Sequence, residues 1–449
     1  MTKATIAAGT LITALVVIVL ALAVRNFAPD QGGERDAAAQ TPITPSPATP
    51  AAPETYQGFL YGRVIDVDGA RYEGRLRWGG DQEAFWGDPF NGTKDENPWA
   101  VHVAQPEDRR GIEIFGFRLG GEADRNKLRR LFMARFGDIA RIEAHVRDVQ
   151  VTLKSGSVVK LDRFASGDID DGVRVWDGRR GVLDLDSRRV RTIEFLSTAP
   201  LAAIPARLHG TVRTQQGEFT GFIQWDQEDS VGTDTLDGRT ADGEQRLRYD
   251  TIRSIARNSR DSARVTLLDG HELAMSKNRD VSSGNRGINV EDPRYGRVQI
   301  SWDAFERVDF SPGGSGPAFS DFPPGRALTG TVRLRDGRGL AGRLVYDFDE
   351  SETTETLDAA VPGVDYNIPF SLIASIQVHG REGRTGGRAT VVLHDGKELQ
   401  LERTGDLAEG NAGLLIFVDG RERPEFVTWA DVERLDLKRP PDEQILLTR

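Results

Sequence analysis

The 449-residue chain has no cysteine and only three methionines, and its lysines are few beside its arginines, 8 against 50. Lack of cysteine excludes disulfides, thiolate metal sites and thiol nucleophiles together, so stability has to come from packing. The shortage of lysine is read as the codon bias of a GC-rich bacterial genome rather than as phosphate recognition. Sequence signatures of common enzymes are also missing: there is no Gly-x-Ser-x-Gly, Walker loop, dinucleotide glycine fingerprint or His-Glu-x-x-His. The six histidines, His102, His145, His209, His271, His379 and His394, have no metal-ligand spacing. No cofactor and no metal are therefore expected. With 58 basic and 69 acidic residues the net charge is −11, and no basic stripe interrupts it, so a nucleic-acid partner is not expected.

What is present is a two-part pattern used three times. The first part reads Gly62-Arg63-Val64 through Gly69 to Gly74-Arg75-Leu76-Arg77-Trp78, then Gly210-Thr211-Val212 through Gly217 to Gly221-Phe222-Ile223-Gln224-Trp225, then Gly330-Thr331-Val332 through Gly337 to Gly342-Arg343-Leu344-Val345-Tyr346. The second part follows each as Val151-Thr152-Leu153-Lys154-Ser155-Gly156, Val265-Thr266-Leu267-Leu268-Asp269-Gly270 and Val391-Val392-Leu393-His394-Asp395-Gly396. Self-similarity on this scale marks a supersecondary unit used repeatedly. Apolar residues alternate with period two in Tyr72, Gly74, Leu76, Trp78 and their counterparts, which predicts strands with one buried face. Pairs such as Asp68-Gly69, Asp269-Gly270 and Asp395-Gly396 predict tight hairpin turns. Each part ends in apolar residues three apart, such as Ile139 with Ile142 or Trp429 with Val432, read as one helical turn leading into a closing strand.

Strand, Asp-Gly turn, second strand with an inner glycine, single turn and closing strand resemble the Sm-like and SH3-like small-barrel pattern. That resemblance implies a fold type and carries over no functional residue. Sm proteins bind RNA, but nothing in this chain matches their RNA-contacting motif, and fold does not imply function. The expected fold is thus all-β: three tandem repeats, each of two small barrel or curled-sheet halves, at 56–196, 207–310 and 326–438. The linkers 197–206 and 311–325 read as short and passive.

Ahead of the repeats, Ala4 to Val24 is an uncharged apolar run of 21 residues between Lys3 and Arg25. It is long enough to span a bilayer as a helix, while Ala21-Leu22-Ala23 has the spacing of a signal-peptide cleavage site. Residues 1–28 are accordingly read as a transmembrane anchor or signal peptide, and 29–55, rich in Pro and Ala, as a disordered stalk. Both readings export the body. The expectation is a single-pass inner-membrane protein with its bulk periplasmic, whose partners are envelope proteins or glycans; a cytoplasmic-facing adaptor is the opposite topology.

The repeats differ most in an insert at 79–136. It carries Asp81, Glu83, Phe85, Trp86, Asp88, Phe90 and Trp99, then a candidate amphipathic helix from Glu122 to Phe136 with Leu128, Leu131, Phe132 and Phe136 on one face. Aromatic rings beside carboxylates suit a sugar- or peptide-binding platform, so Asp81, Glu83, Trp86, Asp88 and Trp99 are the candidate ligand-binding residues. The bland alternative is that these aromatics pack the insert onto its barrel. An envelope carbohydrate-active enzyme would place its site around Trp86; otherwise the chain reads as a binding or scaffold protein. Two further acidic sets recur. Asp226, Glu228, Asp229 and Asp347, Asp349, Glu350 read as solvated loop charge, and Asp168, Asp280 and Asp406, with Asn285 and Asn411, as Asx turns.

Overall fold

The computed structural model describes residues 56–79, 82–102, 113–114, 117–118, 130–163, 167–201, 204–314, 316–379 and 388–440. The expected anchor and stalk, Asp81, and most of the candidate helix lie outside the described residues. So does any test of membrane insertion: among the described residues no helix is long and apolar enough to cross a bilayer. Residues 52–449 form one compact unit. The fold is all-β with antiparallel sheets, and among the described residues no helix reaches seven residues.

In the first module the strands are β1 (Tyr61–Asp66), β2 (Arg71–Trp78), β3 (Phe90–Thr93), β4 (Glu113–Ile114), β5 (Phe117–Arg118), β6 (Leu131–Ala134), β7 (Ile139–Ala144), β8 (Asp148–Leu153), β9 (Val158–Asp162), β10 (Val173–Asp177), β11 (Gly181–Leu185) and β12 (Val190–Phe195). The second has β13 (His209–Thr214), β14 (Gly217–Gln224), β15 (Thr235–Thr240), β16 (Gly243–Arg248), β17 (Ile252–Ser259), β18 (Ser262–Leu267), β19 (Glu272–Ser276), β20 (Ile288–Asp292), β21 (Gly296–Ile300) and β22 (Phe305–Phe310). The third has β23 (Thr329–Leu334), β24 (Gly339–Val345), β25 (Thr356–Val361), β26 (Val364–Pro369), β27 (Ile373–Val378), β28 (Arg388–Leu393), β29 (Glu398–Glu402), β30 (Leu414–Val418), β31 (Glu425–Val427) and β32 (Val432–Leu437).

The halves of a module do not close on themselves, which corrects the expectation of two contiguous barrels. In the second module β14 pairs with β20 of the other half, and β13 with β22, giving the order β22-β13-β14-β20-β21. The strands between, β15 to β19, form a second set in the order β17-β18-β19-β15-β16, and a β17 to β22 pairing joins the two. The first two strands of each half have thus exchanged partners with the last three of the other. The third module pairs likewise as β32-β23-β24-β30-β31 and β27-β28-β29-β25-β26. In the first module β12-β1-β2-β10-β11 is continuous with β7-β8-β9, and a Lys94 to Leu161 bridge leads on to the β3–β6 ribbon.

The cause lies in two local features. After β14, Asp226 (φ 53°) and Gln227 (φ 55°) occupy consecutive left-handed positions, and Asp347 and Phe348 do the same after β24. Such a turn reverses the chain at once, so the next strand leaves its own sheet. The vacated edge is then approached very closely: a Cβ at Gly221 would collide with the carbonyl of Glu291 on β20, as would one at Gly74 with Trp176 or at Gly342 with Phe417. The inner glycine serves interstrand approach, not only the bend. Gly221→Ala is expected to cost about 2 kcal/mol, read from the urea midpoint, because backbone has to move. The single turns before closing strands are short 3-10 segments: Phe136–Asp138, Tyr249–Thr251, Phe370–Leu372 and Trp429–Asp431.

Strand β21 also pairs with β26, so the second and third modules share one sheet. Nor is the 311–325 segment passive. Phe322 is buried in the core of the first module, and Lys154 Nζ donates to the carbonyls of Phe319 and Phe322, the latter at 3.0 Å.

Candidate functional site

Each long strand ends in an aromatic whose polar tip is anchored in the same way. Trp78 Nε1 donates to the Asp168 carbonyl at 2.6 Å, Trp225 Nε1 to the Asp280 carbonyl at 2.9 Å, and Tyr346 Oη to the Asp406 carbonyl at 2.9 Å. The carboxylates of the same aspartates accept the backbone N–H of Asn91 at 2.7 Å, Asp237 at 2.8 Å and Asp358 at 2.7 Å. One residue therefore clamps the outer strands to the first strand of the inner set. The Asx turns expected at Asn285 and Asn411 are present, each side-chain oxygen accepting from the glycine two residues on, at 2.9 and 2.8 Å. Burial pushes Asp168 up to about 6 and raises Asp280 as well.

The insert packs as a structural element. Phe85, Trp86, Phe90, Phe132 and Phe136 lie in the core of the first module with Trp78. Where a helix was expected, Leu131–Ala134 is strand β6, paired with β3, with Phe132 inward and Leu131 exposed. Period-four spacing in that segment competes with a strand partner, and the partner wins. Of the five candidate residues, Asp81 lies outside the described residues, and Glu83, Trp86 and Asp88 come together where the first module meets the second. There Glu83 pairs with Arg75 and, at 2.8 Å, with Arg77; the Trp86 carbonyl accepts from Arg207 Nη2 at 2.7 Å; Asp88 pairs with Arg297. Trp99 is elsewhere. It packs against Phe417 of the third module with centroids 6.1 Å apart, and Arg343 stands over its ring.

Three of the recurring acids are not solvated loop charge: Asp226 is 1% exposed and salt-bridged to Arg279 at 2.5 Å, and Asp347 and Asp349 are buried, whereas Glu228 is exposed as expected. In the third module these acids wall a cleft of about 260 Å³ against β6, lined by Lys94, Arg130, Asp349, Glu350, Asp358 and Asp406 among others. Lys94 Nζ is 2.5 Å from Asp349 and 3.5 Å from Glu355, Arg130 Nη2 is 3.4 Å from Asp347, and Asn97 donates to the Phe348 carbonyl at 2.9 Å. Burial would lower the Lys94 ammonium, but Glu355 and Asp349 outweigh it and the net shift is upward. Burial pushes Asp349 up to about 6 against the pull of Lys94, and burial plus neighbouring carboxylates hold Glu350 and Asp406 well above the usual range. The cleft thus sets carboxyls that burial biases toward the protonated form beside two paired cations, Lys94 and Arg130. Among the described residues no three of its acids or histidines converge closely enough to hold a metal ion.

Sequence reasoning missed Lys94 and Arg130, whose partners lie 255 and 217 residues away in the chain. No local pattern signals such pairs. Compared with protein-family models, curated proteins and solved structures, the chain has no match.

Proposed function

We propose that the chain is a membrane-tethered, extracytoplasmic binding and scaffold protein of a bacterial envelope, built of three tandem small-barrel modules held as one frame. The observation that supports this most directly is the use made of the insert. Its charged and aromatic side chains, Glu83, Asp88, Lys94 and Trp99, engage Arg75, Arg297, Asp349 and Phe417, so they bolt the first module to its own barrel and to the other two. A body whose most distinctive segment fixes the relative position of three modules is suited to hold surfaces in register for partners. Envelope proteins or glycans are the partners this reading names, and the net charge of −11 disfavours polyanions.

Two measurements test it. Alkaline phosphatase fused after Arg449 should be active, whereas a cytoplasmic reporter at the same place should be silent; the reverse result assigns the body to the cytoplasm and overturns the location. The purified body immobilised and exposed to solubilised envelope should retain a saturable partner that cytosolic extract does not supply. Equal retention from both extracts would contradict an envelope role.

A further inference from the structure

The cleft of about 260 Å³ between β6 and the third module is lined by six carboxyls but only two cations, Lys94 and Arg130. Both cations are taken. Lys94 Nζ holds Asp349 at 2.5 Å and Glu355 at 3.5 Å, and Arg130 Nη2 holds Asp347 at 3.4 Å. Two further acids rest on neutral donors: Asp358 accepts from Asn367 Nδ2 at 2.6 Å, and Asp406 from the backbone N–H of Asp358 at 2.7 Å.

Glu350 is left over. Among the described residues no cation pairs with it, and no donor reaches its buried Oε2. The same cleft has an unmatched donor, because Arg130 Nε is buried without an acceptor. Unpartnered buried polar groups are costly, and a guest that donates to the carboxylate and accepts from the guanidinium removes both costs at once. The remaining wall is apolar: Leu131 and Met133 of β6 line the cleft, with Leu131 76% exposed. Side-chain carbons on one wall and a few polar groups on the others are the usual makings of a small-molecule site. The volume lies just below the roughly 300–1,000 Å³ of sites for drug-sized ligands, so one small ring suffices to fill it.

We propose that this cleft binds a small hydroxylated amine, of which a hexosamine is the type. Its ammonium pairs with Glu350, a hydroxyl oxygen accepts from Arg130 Nε, and the carbon face of the ring lies on Leu131 and Met133. A neutral sugar can meet Arg130 but leaves the carboxylate without a cation; an amine without hydroxyls does the reverse. Burial and neighbouring carboxylates hold Glu350 well above the usual carboxylate range, the direction expected of an acid that lacks a cation of its own, and a bound ammonium draws it back. The assignment rests on the cleft and not on where the body resides.

Calorimetric titration of the full-length chain at pH 7 with glucosamine and with glucose tests it. Glucosamine should bind saturably, and glucose, which has the same ring without the ammonium, on the order of tenfold more weakly or not at all. Glu350→Gln should remove the preference for the amine. Should that variant fail to fold, Leu131→Lys changes an exposed side chain of the cleft wall and places a competing ammonium at the site, so it too should weaken glucosamine binding. No saturable heat from glucosamine would mean that the cleft holds only water, and equal binding of the two sugars, or full glucosamine binding by the variants, would equally overturn the proposal. A failed titration leaves the envelope location standing, and a cytoplasmic body leaves the cleft and its ligand unchanged.

Discussion

Replacing Trp225 by alanine is expected to destabilise the body by about 4 kcal/mol, seen as a lowered urea midpoint. Trp225 is fully buried and meets Trp302 and Phe305 edge-on at centroid distances of 6.4 and 5.3 Å. Truncation removes that packing and opens a cavity. It also strips the Asp280 carbonyl of its indole donor, in the turn whose carboxylate caps Asp237. The indole thus acts where the exchanged strand sets meet, not only within one sheet. Trp225→Phe keeps most of the volume and should cost about 1.5 kcal/mol, the value of one buried hydrogen bond and some shape. If the phenylalanine variant cost nothing, the indole hydrogen bond would have no part in joining the two sets.

Lys94→Ala is the second large effect, about 3 kcal/mol at pH 8, because a buried carboxylate cluster would keep its charge without its cation. The loss should shrink as pH falls. Asp349 already sits near 6 with the lysine present, and Glu350 lies above the carboxylate range, so removing the cation moves both further toward protonation. Protonation relieves the unpaired charge, and the variant should approach wild-type stability near pH 5. Chemical unfolding of both proteins across this range reads the difference directly. A cost that stayed constant with pH would mean that Lys94 contributes through packing of its stem rather than through charge.

Period-two alternation and Asp-Gly turns made the strands themselves legible. Gly69 at φ 83° and Gly156 at φ 90° take the left-handed positions that their turns demand. The face each strand buries could also be read, as with Val64, Leu76 and Trp78. Strand neighbours could not. Periodicity specifies which side of a strand is apolar and says nothing about which edge it joins. When two halves carry the same pattern, the last three strands of either satisfy the first two of the other equally well. The consecutive left-handed residues Asp226 and Gln227 decide the matter, and neither is glycine, so the turn gave no glycine signal.

The candidate site was legible only in part. Trp86, Phe85 and Phe90 were recognised as a distinctive cluster, and the structure places them in the core. Asp347 and Asp349 were read as solvated because their partners, Arg130 and Lys94, belong to another module and leave no trace within a local window. The 311–325 segment looked passive for a related reason. Phe322 has only Ala318 and Phe319 at helical spacing before a pair of prolines, too short a run to mark a buried face, and it is buried in the core of the first module.

Exchange of strands between halves is the claim on which the rest stands, and an engineered disulfide tests it most directly. Arg213 on β13 faces Arg307 on β22, and Arg307 in turn faces Ala256 on β17. β13 and β17 are therefore separated by one strand, about 9–10 Å, beyond the reach of a disulfide. In this cysteine-free chain, Arg213→Cys with Arg307→Cys should oxidise to a single intramolecular bridge, and Arg213→Cys with Ala256→Cys should remain reduced. The opposite pattern, a bridge to position 256 and none to position 307, would mean that each half closes on itself and that the interleaved frame does not exist.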